Sequence, residues 1–152
     1  MLAGDPGGGV FVGGFSSVLR IAEDGTSTPF AGTGEHGSTG DGGPALDAHV
    51  GTVAGLTVCP DGTVTFLEYD LTSLSPRIRE VTRDNLIATI GGGTSGFNGD
   101  GRPALDTAFA FSLSAGMASL PEGGFYVADR DNARVRRLLP TTSAAAPTGQ
   151  QR

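Results

Sequence analysis

The chemically pointed residues of this sequence are aspartates and asparagines on glycine-rich stretches and arginines at alternate positions. Asp41 lies within Gly40-Asp41-Gly42, and Asn98 and Asp100 within Asn98-Gly99-Asp100-Gly101. A third group is the run Asp129-Arg130-Asp131-Asn132. Carboxylate and amide oxygens on such segments accept hydrogen bonds or hard cations. Two Arg-x-Arg pairs, Arg77/Arg79 and Arg134/Arg136, each fall on one face of a strand by its period of two. They suit an anion, or carboxylates such as Asp129. Asp41, Asn98, Asp100, Asp129, Arg130, Asp131 and Asn132 are therefore the candidate binding residues. The competing reading is that Asp41 and Asp100 cap short helices.

Other chemistries meet obstacles. An EF-hand needs more carboxylates, ending in Glu, than residues 96–101 supply, so no metal residue is assigned. A phosphate loop needs a lysine before its helix, and all ten basic residues here are Arg. A Gly-x-Ser-x-Gly nucleophile elbow is missing. His36 and His49 are the only histidines, too few for a convergent catalytic site. His49 would end a short helix, where a cation suits the terminus. Cys59, alone, allows no internal disulfide or multi-thiolate zinc site, and a buried inert thiol is expected. No catalytic or cofactor-binding residue is assigned, and no cofactor is expected.

Positioning these residues falls to a repeated framework. The formal charge is −6 and 38% of residues are hydrophobic, which fits a folded chain and disfavours nucleic acid, whose phosphates need clustered cations. No apolar run is long enough to cross a membrane. Gly40, Asp41, Gly42, Pro44, Ala45, Leu46 and Asp47 recur 59 positions later as Gly99, Asp100, Gly101, Pro103, Ala104, Leu105 and Asp106. Pro60-Asp61-Gly62 recurs as Pro121-Glu122-Gly123, with Pro6-Gly7-Gly8 near the start. Val18-Leu19-Arg20-Ile21, Arg77-Ile78-Arg79-Glu80-Val81 and Arg134-Val135-Arg136-Arg137-Leu138 form a third column.

One repeat reads as four strands, A to D in chain order. Leu56-Thr57-Val58-Cys59 stops at Pro60-Asp61-Gly62, where Pro presets φ and Gly accepts φ > 0. Thr63–Leu67, Ile78–Val81 and Leu86–Ile90 follow, β-branched and joined by short polar turns. A Gly-rich insertion then precedes a short helix, Pro103 to Phe109 or Pro44 to Ala48, with Pro suited to a first helical position. Repeats of 55–60 residues with four strands predict an all-β fold. It is a partial β-propeller of about three four-stranded antiparallel blades, whose Gly-rich insertions carry short helices. The blades are expected at about 1–54, 55–115 and 116–139, the last incomplete, with 140–152 a disordered tail. In a meander, the B–C turns and the D–A insertions share one end, so the candidate residues share a face.

Gly124-Phe125-Tyr126-Val127-Ala128-Asp129, then Asn132 and Arg134-Val135-Arg136, resembles the core of an NHL repeat. Ala31-Gly32-Thr33-Gly34 followed by Gly40–Ala45 is similar to the linker of long NHL repeats in bacterial and teneurin-like propellers. Glu68-Tyr69-Asp70 and Gly13-Gly14 stand where the third copy has Ala-Asp. The resemblance implies about six blades and a binding scaffold for a protein, a carbohydrate or another small ligand. The chain is then a piece of a larger propeller, or half of a homodimer that completes a six-bladed ring. The alternative is part of a propeller lyase whose catalytic residues lie on other blades. Uncharged residues at Gly55-Leu56-Thr57 and Gly116-Met117-Ala118, where strand A would face the channel, favour the scaffold. The resemblance also implies that some such propellers bind RNA on a basic face, which the net charge disfavours. Relatives of this kind are often exported. No signal peptide is visible at Met1-Leu2-Ala3-Gly4-Asp5-Pro6, and the compartment stays open.

Overall fold

A computed structural model describes residues 1–139; residues 140–152, including the expected tail, lie outside the described residues. The described chain is three antiparallel sheets in a row along the sequence, a partial β-propeller. The first sheet is β1 (Leu2–Gly4), β2 (Val10–Gly13), β3 (Val18–Ile21) and β4 (Ser27–Ala31). The second is β5 (Thr52–Val58), β6 (Val64–Asp70), β7 (Ser75–Val81) and β8 (Ile87–Gly92). The third has β9 (Met117–Ser119), β10 (Phe125–Asp129) and β11 (Arg134–Leu138). Each strand pairs with its chain neighbour, as a meander requires.

Turn chemistry sets the register. In the β5–β6 turn, Gly62 at φ +86° donates its amide to the Cys59 carbonyl at 2.8 Å. The Asp61 carboxylate accepts from the Thr63 amide at 2.9 Å. The same bond pattern closes the turns at Asp5–Gly9 and Leu120–Gly124, so Val10, Val64 and Phe125 occupy equivalent places. At the outer strand β8, a bulge between Ile78 and Arg79 places Gly92 at φ +79°, where a Cβ would stand 2.5 Å from the Pro76 carbonyl oxygen. Gly32 repeats this against the Ser16 carbonyl.

The sheets stack face to face through two apolar layers. Val18, Val53, Phe66 and Val81 share the layer between the first and second sheets. Ile78, Leu67, Phe109, Phe111 and Val127 share the layer between the second and third. Strands β1, β5 and β9 lie side by side as the innermost strands. Ser119 ties β9 to β5, its hydroxyl donating to the Val58 carbonyl at 3.0 Å. Equivalent positions show the stacking directly. Val18 and Ile78 are fully buried by the sheet that follows them, whereas Val135 is 73% exposed.

Two expectations change. The insertion helices shrink to single 3₁₀ turns, Ala45–Asp47 and Ala104–Asp106. Val50 and Phe109, a few residues later, must enter the inter-sheet layers, and that turns the chain extended before a second helical turn can form. Strand A of the second sheet begins at Thr52, so Gly55-Leu56-Thr57 lies within the strand and Thr52-Val53-Ala54 forms its insertion-side end.

Candidate functional site

Each insertion is fastened by one arginine of the third strand in the sheet it leads into. Arg79 on β7 is completely buried and sits 3.0 Å from the equally buried Glu68 of β6. Its other arm reaches the Thr39 carbonyl at 3.0 Å and the Asp41 carboxylate at 3.0 Å. Glu68 also accepts from the Gly51 amide and the Ser38 hydroxyl. The third sheet repeats the scheme. Arg136 contacts Asp129 at 3.4 Å and Asp100 at 3.0 Å, and it donates to the carbonyls of Ala108 and Gly99. Asp129 accepts from the Ala110 amide at 2.6 Å. Position 51 plus 59 is 110, so the amide that meets the carboxylate corresponds in the two networks. The carbonyls gripped differ, Thr39 in one and Gly99 and Ala108 in the other.

Glu68 thus stands where the third sheet has Asp129. The register says the same: Phe66 faces Arg79 as Val127 faces Arg136. The apparent departure Glu68-Tyr69-Asp70 is a longer carboxylate in the same role. In the first sheet the equivalent of Arg79 is Leu19, by its pairing with Val12. Arg20 there points away, to Asp5 at 2.6 Å.

The insertions meet the β6–β7 and β10–β11 turns at one end of the sheets, and the candidate residues there divide into two groups. Asp41 and Asp100 bridge to the arginines and do not cap the 3₁₀ turns, whose N-cap positions are Pro44 and Pro103 without side-chain bonds. Asn98 is spent within its insertion, donating to the Asp106 carbonyl and accepting from the Ala108 amide. Asp129 is buried, and Asn132 bonds both Asp129 and the Gly96 carbonyl. That last bond brings the β10–β11 turn against the second insertion. Arg130 and Asp131 are exposed. Arg134 stacks over Phe97, 3.9 Å from the ring centre.

One grouping escaped the sequence reading. His36, from the first insertion, places Nε2 3.5 Å from the Thr52 hydroxyl and Nδ1 3.8 Å from Asp70. The Phe15 ring lies 4.9 Å from the imidazole. Arg77 approaches Asp70 to 3.9 Å, and its buried Nη1 has no hydrogen-bond partner among the described residues. Burial pushes the Asp70 carboxyl upward. Hydrogen bonds from the Ser73 hydroxyl and the amides of Thr72 and Ser73, aided by the charge attraction of His36, outweigh it and hold the group below its ordinary range. The residues come from four separate segments, so no spacing could reveal them. His49 pairs instead with Glu35, at 3.5 Å.

This face also carries apolar side chains that find no cover. Phe15 is 62% exposed and Leu74 59%; Leu71, Phe97 and Leu113 are exposed too. All belong to B–C turns, an insertion, or the stretch leading into β9. Two open clefts lie elsewhere, one between the second and third sheets and one beside β11, with volumes of about 520 and 760 Å³. Cys59 lines the first and is half-buried, correcting the expectation of a buried thiol. Burial raises its thiol pKa and keeps it a poor nucleophile.

Among the described residues, no helix is long and apolar enough to cross a membrane, and no group of three or more His, Cys, Asp or Glu could hold a metal ion. No protein-family model matches the chain, and no curated protein matches it. A solved structure does. The chain is similar to a structural-genomics protein of unknown function from Bacteroides thetaiotaomicron, with a TM-score of 0.66 and 19% identity. The match covers 85% of this chain and 32% of that one, so this chain spans about a third of its neighbour's length. At that identity the likeness is one of fold.

Proposed function

We propose that this chain is a binding scaffold of the NHL-repeat β-propeller type, part of a larger propeller, whose insertion-bearing face takes a protein or a carbohydrate. The observation that carries this reading is the company kept on that face. Exposed Phe15 packs against His36 of the polar cluster of His36, Asp70 and Arg77. Exposed Leu74 lies in the turn between Asp70 and Arg77, and Phe97 stays exposed on the second insertion. Apolar side chains held open on rigid turns favour association, because burying them releases ordered water. Polar groups among them fix orientation, as in most ligand sites. The insertions are anchored by buried Arg79 and Arg136, so little ordering entropy is lost on binding.

The NHL assignment draws its support from the Asp129–Arg136 pair, which gives the Ala-Asp and Arg-x-Arg elements of that pattern one shared structural task. A scaffold accounts for the site better than a lyase does. One histidine, one aspartate and one arginine meet at the top of the second sheet, short of the convergent set a lyase channel needs.

The test is a titration of the isotope-labelled full chain, followed by NMR, with defined oligosaccharides and peptides. A ligand should shift amide signals around His36, Asp70, Phe97 and Arg130, and a Phe15→Ser/Phe97→Ser variant should lose at least tenfold in affinity. Shifts confined to the opposite turns, around Gly62 and Gly123, would refute the assignment of the face.

A further inference from the structure

The second blade departs from the third at separate places in the sequence, and those departures meet at one point in space. What the two share is the arginine-gripped insertion, in which His36 bridges Val50 as Ser95 bridges Phe109, 59 residues on. At that bridge the second blade has an imidazole where the third has a small hydroxyl. Thr52 stands where the third blade has Phe111, by the same spacing. The hairpins differ too. Glu68 pairs with Arg77 as Asp129 pairs with Arg134, but β6 and β7 continue through Tyr69–Pro76 and Asp70–Ser75, whereas β10 and β11 stop there. The longer hairpin brings Asp70 up to His36, 3.8 Å away.

The framework does not require this polar set, because the third blade holds its insertion without it. Phe111 there is buried in the apolar layer, which is the stabilising use of the position. The polar set, by contrast, is loosely bonded. Thr52 Oγ1 stands 3.5 Å from His36 Nε2, His36 Nδ1 3.8 Å from Asp70 Oδ1, and Arg77 Nη1 3.9 Å from Asp70 Oδ2. Each spacing is at or beyond the reach of a hydrogen bond. The buried Arg77 Nη1 has no hydrogen-bond partner among the described residues. Partly satisfied polar groups cost stability, so folding alone does not account for this cluster.

The spacings indicate what the cluster takes. Polar groups just under 4 Å apart are joined by an oxygen that bonds to both. Against the upward push of burial, bonds from Ser73 and Thr72 hold the Asp70 carboxyl below its ordinary range, so near neutral pH it only accepts. His36 and Thr52 each donate or accept. A group between them must therefore donate to Asp70 and also accept, which is the chemistry of a hydroxyl. Asp70 repels an anion and Arg77 a cation, so an uncharged ligand fits. The Phe15 ring, 4.9 Å from the imidazole, adds an apolar wall. A hydroxyl-bearing ring with apolar C–H faces meets all of these conditions. We propose that this junction of the first two blades is a sugar-binding site. A pyranose ring of a carbohydrate lies against Phe15, with one hydroxyl between Asp70 and His36 and a neighbouring one toward Thr52. Arg77, behind Asp70, balances its charge. This inference rests on the insertion-bearing face being the binding surface, and it selects carbohydrate over protein as the ligand there. A protein partner needs a broad contact patch, whereas this polar set is confined to a single junction.

The probes are the methyl glycosides of glucose, galactose and mannose, each titrated into the isotope-labelled full chain by NMR. At least one should bind saturably, shifting the His36 ring signals and the amides of Thr52 and Asp70. Saturation transfer should run from Phe15 to the ring protons of the sugar. Tetrahydropyran-2-methanol, which keeps the ring and lacks the neighbouring hydroxyls, should bind at least tenfold more weakly. Asp70→Asn should lose at least tenfold in affinity. Because Asp70 also holds the β6–β7 turn, His36→Ser is the second variant. It matches the third blade at that bridge, so it should keep the melting temperature while losing at least tenfold in affinity. No saturable binding by any of the glycosides, equal affinity for tetrahydropyran-2-methanol, or undiminished binding by His36→Ser would overturn the proposal. Peptides that shift these signals where no glycoside does would overturn it and leave the binding face in place. Glycoside shifts confined to the turns around Gly62 and Gly123 would overturn both.

Discussion

At the scale of single residues, the buried arginines decide the most. Arg79 and Glu68 are both without solvent contact, so removing one strands the other's charge in a poorly polarisable interior. Arg79→Met should lower stability by about 3–5 kcal/mol in urea denaturation. Glu68→Leu combined with Arg79→Met should recover much of that loss, because no charge is then left buried alone. Asp100→Asn should cost under about 1 kcal/mol, since that side chain is 71% exposed. Glu80 adds a pH dependence. Burial, followed by repulsion from Asp61, raises its carboxyl pKa in the folded state. The folded chain thus holds this proton more tightly than the unfolded chain. The stabilisation is complete below the unfolded pKa and is lost as pH rises through the folded one. Glu80→Gln should therefore raise the melting temperature near pH 7 and leave it almost unchanged near pH 4, about the unfolded value. Asp70 has the opposite sign. Its pKa is lowered in the folded state, so its contribution is present above the unfolded pKa and disappears as the solution is acidified. Asp70→Asn should flatten the acid limb of the melting profile.

At the scale of elements, the blade is a device for holding an insertion. The four-stranded meander supplies the arginine, and the insertion supplies the carbonyls and the aspartate it grips. The outer strand must pass close under the β6–β7 turn, and only glycine lets it do so. Gly92→Ala would place a methyl 2.5 Å from the Pro76 oxygen at positive φ. It should destabilise by more than about 1 kcal/mol, seen as a lower urea midpoint with an unchanged slope. Gly96, also at positive φ but with open space around it, should cost less on the same substitution. That contrast separates backbone preference from close approach.

At the scale of the whole molecule, stacking leaves one sheet face without a partner among the described residues. Val135, 73% exposed, and Tyr126, 42% exposed, lie on it, where the equivalent Ile78 and Thr65 of the second sheet are buried. Repeat arrays cover such faces with another repeat or a polar cap. A homodimer that closes a six-bladed ring is one assembly that would cover it. Light scattering on the purified chain should then give a mass twice that of one chain. A Val135→Lys/Tyr126→Lys variant should shift the population to single chains. A wild-type mass equal to one chain at micromolar concentration would exclude the ring.

The sequence by itself determined the sheets, because strand periodicity, Pro-Asp-Gly turns and a recurring glycine pattern are local. Ile78–Val81 and Leu86–Ile90 needed only their β-branched alternation and the positive-φ residues beside them. It also placed the insertions and the B–C turns at one end, which follows from connectivity. Only the tertiary structure decided what the charged residues do. Whether Asp41 capped a helix or met Arg79, 38 residues away, depended on where β7 stands relative to the insertion. The His36 cluster gathers side chains from four segments that no spacing links. Backbone preference acts between neighbours, whereas a buried charge chooses its partner through space.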